Sequence, residues 1–137
     1  MTTMTGDDAP THYDRVGAEV GIRKLVDVFY DLVLGDEELQ RYFVDERGGG
    51  VNIRALKEHQ VRLLSQLLGG PVTYDGRELA DAHRHLGLSV RDLGRVGDYL
   101  LAALLTCHAP WDTVVAVRAV LLGVADDWAL MGVTEER

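Results

Sequence analysis

From Val16 to the end of the chain, apolar residues recur at helical spacing almost without interruption, and no stretch alternates as a half-buried strand would. The breaks in this pattern are glycines and prolines. Gly35, the Gly48-Gly49-Gly50 triplet, Gly69-Gly70-Pro71, Gly87 and Pro110 each fall between periodic segments, where a helix could not continue. Such a chain has only helices to build with. The spacing predicts helices over about 20–34, 36–43 (opened by Asp36), 53–68, 77–86, 89–107 and 110–131. Ser89 followed by Asp92 resembles a capping box for the fifth of these. With 137 residues the helices form one all-α domain. The expected organisation is a flexible N-terminal tail over 1–12, the domain over 13–131 and a short C-terminal tail over 132–137.

Composition narrows what such a domain does. A net charge of −8 argues against nucleic acid and against an anionic membrane surface. No apolar run reaches the eighteen or so residues of a membrane span. Cys107 is the only cysteine, which rules out an intrachain disulfide and a cysteine-rich metal site. The opening MTTMTGDDAP lacks the basic and apolar regions of a signal peptide, so the expected location is the cytoplasm.

Three polar residues interrupt three apolar stripes. Gln60 lies among Leu56, Leu63, Leu64 and Leu67; Tyr30 follows Val26 by one turn and adjoins Phe29; His83 shares a face with Leu79 and Leu86. Each alone reads as an ordinary core or rim residue. A primary amide buried without a partner costs roughly 1–3 kcal/mol, and a single buried polar ligand would satisfy all three. His83 is the natural metal ligand among them. There is no HExxH, no CxxC and no Glu-x-x-His pair, and His83 and His85 diverge by about 200° around a helix. One protein ligand suffices when a porphyrin supplies four more, which makes haem the economical candidate.

At these residues the sequence resembles the truncated haemoglobins, most closely group I. The resemblance is carried by YDRVGAEVGIRKLVDVFYDLVL (13–34), LQRYF (39–43), LKEHQVRLLSQLLGGPVTYDGRELADAHRHLGLS (56–89) and the helix after Ser89, and spans about residues 13–128. It implies a two-over-two helical sandwich around haem b. His83 matches the proximal iron ligand, and Tyr30 and Gln60 match the distal pair that hydrogen-bonds bound oxygen. Phe43, Leu56, Leu64, Leu79, Leu86, Leu88 and Val120 fall at haem-contacting positions. Lys57 and Arg62 are candidates to meet the propionates.

The implied function is reversible binding of O2, NO and CO, with NO dioxygenation to nitrate as the activity. The chain has no flavin or nicotinamide motif, so that activity would need a separate reductase; the protein itself is expected to be a monomer or weak dimer. A second reading stays open. His59 matches a histidine that serves some cyanobacterial members as sixth iron ligand, which would make this a six-coordinate, bis-histidyl protein for electron transfer or redox and gas sensing. A haem-free helical interaction module and a peroxidase-like catalyst are further alternatives. His12 and His85 are expected in solvent and His108 in a structural role. Several positions depart from the family. Extra residues stand between Phe43 and Gln60, Leu63 and Leu64 replace common aromatics, Gly17-Ala18 replaces a glycine pair, and no histidine follows His108 to link haem covalently.

Overall fold

A computed structural model describes residues 9–43, 52–71 and 88–130, with side chains up to residue 124. The described elements are α1 (His12–Arg15), α2 (Ala18–Leu34), α3 (Glu37–Gln40) with a 3-10 turn (Arg41–Phe43), α4 (Ile53–Leu67), α5 (Val90–Thr106) and α6 (Trp111–Leu130). No strand occurs among the described residues. The predicted helix over 77–86 lies outside them.

Local chemistry sets the ends. Thr11 caps α1 in a reciprocal box with Asp14, Asn52 caps α4 and Ser89 caps α5, each side chain accepting a backbone N–H that the helix leaves unpaired. Asp36 does the same for α3 by accepting from the amides of Glu38 and Leu39. The entry to α2 is unusual. Gly17 (φ 106°) and Ala18 (φ 56°) both hold left-handed backbone, and the turn brings Gly21 so close to α1 that a Cβ there would sit 1.8 Å from the Val16 carbonyl oxygen.

Packing centres on α2, which lies against both α4 and α5, while α5 packs on α6. The shared core includes Ile22, Leu25, Val33, Leu39, Leu64, Ala103, Leu104 and Val117, all essentially out of solvent. Each such side chain larger than alanine contributes roughly 1.5–3 kcal/mol. A smaller cluster, Leu88 and Leu93 with Tyr42, Val90, Val96 and Val124, lies at the start of α5.

Polar ties hold the short elements onto this core. Asp36 accepts from the Tyr99 hydroxyl at 2.7 Å and pairs with Arg95 of α5, which also reaches Glu38. At the other end, α1 is fastened to α6. The Arg15 guanidinium grips Asp112 through its two terminal nitrogens (2.7 and 2.9 Å), and His12 Nδ1 lies 2.6 Å from the fully buried Thr113 hydroxyl. His12 is therefore half-buried and bonded rather than solvated, because α1 lays it across the start of α6.

Candidate haem site

Tyr30 lies on the inner face of α2 and is only 4% exposed. Its ring meets Phe29 edge-on at 5.1 Å between centroids and Phe43, from the 3-10 turn, at 6.2 Å. Burial raises the phenol's pKa well above its usual value, and a hydrogen bond with the Gln60 side chain works in the opposite direction. The phenol therefore keeps its proton at neutral pH. Tyr30 and Phe43 are brought together from separate elements, with Gln60 of α4 beside the phenol.

Helix α4 carries two faces. Val61, Leu64, Ser65 and Leu68 are buried, whereas Leu56, His59, Gln60 and Leu63 are half-buried and Leu67 is 36% exposed. The leucine stripe containing Gln60 is thus not the buried core face, apart from Leu64. Only a partner outside the described residues would complete its burial, and a flat apolar group with a polar centre suits a stripe with an amide in the middle. On this observation the distal residues fit haem. Leu88 is buried beside Leu93 and Tyr42, and Val120 on α6 is 39% exposed. His83, Leu79 and Leu86 lie outside the described residues. Among the described residues no cluster of three or more His, Cys, Asp or Glu side chains could hold a bare metal ion.

Of the cations considered for the propionates, Lys57 is paired with Asp27 of α2 at 3.1 Å, and Arg62 is exposed. His108 is exposed and takes the left-handed backbone (φ 60°) that closes the end of α5, so its role is local. Asp92 does not complete a reciprocal capping box. Its amide donates to Ser89 Oγ, but its carboxylate turns instead to Arg41 and Tyr42, long-range partners that helix spacing cannot reveal.

Comparison with known proteins agrees with this geometry. The family described as bacterial-like globin matches residues 11–119. The chain is 32% identical over 117 residues to the group 1 truncated hemoglobin GlbN of Mycolicibacterium paratuberculosis, covering 85% of this chain and 82% of that protein. It is 32% identical over 114 residues to the GlbN of Synechocystis sp., covering 80% and 88%. The solved hemoglobin of the thermophilic phototroph Chloroflexus aurantiacus superimposes with a TM-score of 0.72 at 27% identity, covering 94% of this chain and all of that one. No described helix is long and apolar enough to cross a membrane. The chain belongs to the bacterial-like globins and, within them, to the group 1 truncated haemoglobins, a haem-binding family with the two-over-two fold.

Proposed function

We propose that this chain holds haem b through His83 and binds O2, NO and CO reversibly beside Tyr30 and Gln60, with NO dioxygenation to nitrate as its activity. Haem, when bound, supplies an iron that takes a diatomic gas, and the conversion of NO, O2 and one electron to nitrate. The electron would come from a separate reductase.

The observation that carries this reading is the buried Tyr30 phenol, beside Gln60 and braced by Phe43. A neutral phenol in a dry pocket is a strong donor to an acceptor that gains negative charge, because no water competes for it. Phe29 and Phe43 restrict the ring from two sides. Together these residues would slow ligand escape and exclude the water that promotes oxidation.

The test is the O2 dissociation rate of haem-loaded protein. A charge-assisted hydrogen bond contributes about 1.5–3 kcal/mol, so Tyr30→Phe is expected to speed release roughly tenfold to a hundredfold. An unchanged rate would remove Tyr30 from the mechanism. The half-buried His59, next to Gln60 on α4, supports the alternative of bis-histidyl ligation for electron transfer or sensing. The ferrous spectrum under argon separates the two. A high-spin spectrum favours an open gas site, and a low-spin spectrum lost in His59→Ala favours the alternative.

A further inference from the structure

Asp92 is a carboxylate that the proposed chemistry does not use, and its side chain is only 4% exposed. Burying a charge is costly unless donors surround it. Two do so here. Arg41 Nη2 donates to Asp92 Oδ2 at 2.8 Å and the Tyr42 hydroxyl donates to the same oxygen in a short bond, while the Asp92 amide is held by Ser89 Oγ at 3.1 Å. Arg41 further donates to Tyr42 Oη at 2.9 Å and stacks over the Tyr42 ring, 4.9 Å from its centroid. The whole group sits where the 3-10 turn meets the start of α5.

A charge buried with such donors fixes its partners more tightly than apolar contact would, because each donor has a direction. What it fixes is the turn Arg41–Phe43. Tyr42 packs against both the main core and the Leu88–Leu93 cluster, and the next residue, Phe43, meets the Tyr30 ring. A 3-10 turn of three residues has little hydrogen bonding of its own to hold Phe43 in place.

We infer that Asp92 is a positioning residue for the distal donor: it anchors Tyr42, Tyr42 sets the adjacent Phe43, and Phe43 braces Tyr30 so that its hydroxyl faces the gas ligand. This rests on the proposed role of Tyr30. The ligand-facing geometry of α2 is then set partly from the start of α5, through a side chain distant in sequence.

Two variants test it in the haem-loaded full chain. Asp92→Asn keeps the shape but removes the charge, and Tyr42→Phe keeps the ring but removes the hydroxyl. Each is expected to speed O2 release about threefold to tenfold, the loss of part of one charge-assisted bond, and to move the stretching frequency of bound CO in the same direction as Tyr30→Phe. In a Tyr30→Phe background neither should add a further change. In haem-free protein the nuclear Overhauser contact between the Phe43 and Tyr30 rings should weaken. A lower urea midpoint with the CO frequency and the ring contact unchanged would overturn the inference and leave Asp92 purely structural. Full-size effects persisting without the Tyr30 hydroxyl would overturn it as well. If Asp92→Asn does not fold, Tyr42→Phe alone decides. If Tyr30→Phe itself changes nothing, the proposed function fails first, so the two failures are distinguishable.

Discussion

The glycines allow one kind of substitution to be predicted with opposite signs. At Gly21 an added Cβ would lie 1.8 Å from the Val16 carbonyl oxygen and 2.7 Å from its carbon. An ordinary carbon–oxygen contact is about 3.3 Å, so α1 and α2 would have to part by roughly 1.5 Å. The obstacle is backbone and cannot rotate away. Moving α1 strains the Tyr13 N–H bond to the Leu68 carbonyl (2.8 Å) and the His12–Thr113 contact, each worth about 1 kcal/mol net. Adding the strain of incomplete relaxation, Gly21→Ala should destabilise by about 2–4 kcal/mol even after alanine's better helix propensity is credited.

At Gly94 in α5 an added Cβ would meet nothing within 4 Å. There Gly→Ala should stabilise by about 0.5–1 kcal/mol, simply because the unfolded chain loses freedom. Urea unfolding of the haem-free and haem-loaded chain measures both. For a chain of this size 1 kcal/mol corresponds to about 3–5 °C in Tm, so the two variants should melt on opposite sides of the parent. The reasoning is refuted if Gly21→Ala lies within about 0.5 kcal/mol of the parent, or if Gly94→Ala falls alongside it.

Two further expectations concern protons. The carboxylates of Asp36, Glu58 and Asp112 are held below their usual range, first by bonds from Tyr99, Arg23 and Arg15 respectively; for Asp92 burial pushes upward but Tyr42 and Arg41 outweigh it. The unfolded chain then binds protons more readily, so the stabilisation is complete only above about pH 5 and is lost as pH falls through the unfolded and then the lowered values. A urea midpoint that stays flat between about pH 6 and pH 2.5 would contradict this. The phenols of Tyr30 and Tyr42, mainly through burial, and of Tyr99, through its bond to Asp36, are all raised. Ultraviolet titration should therefore show fewer of the five tyrosines ionising near pH 10 in native than in unfolded protein, with stability declining above that pH and the last step absent in Tyr30→Phe.

Helix positions are legible in the sequence because stops are local chemistry. Gly35, Asn52, Gly69 and Ser89 mark their boundaries within one or two residues. Periodicity starts α2 at Val20 rather than Ala18, since nothing in a sequence announces an alanine in left-handed backbone. Helix α1 escapes it altogether because four residues are too few for a period, although Thr11 and Asp14 spell its capping box. On α4 the leucine stripe does contain Gln60. Periodicity records that a face is apolar, not whether protein or ligand covers it, so it does not separate the face against α2 (Val61, Leu64, Leu68) from the one carrying Gln60. The Tyr30–Gln60 pairing is implied by family resemblance. The Asp92 anchor has no such guide, because its partners lie about fifty residues away and meet it only through the fold.

The clasp between α1 and α6 has a consequence for how the chain is assembled. His12–Thr113 and Arg15–Asp112 join residues 101 and 97 positions apart, so nearly the whole domain is threaded inside one loop. Contacts of such long range are entropically expensive to make early, whereas α5–α6 packing is local. The clasp is therefore expected to close in the final stage of folding, after the main barrier. Weakening it should leave the folding rate nearly untouched and accelerate unfolding, making the first four-residue helix a latch on the lifetime of the native state.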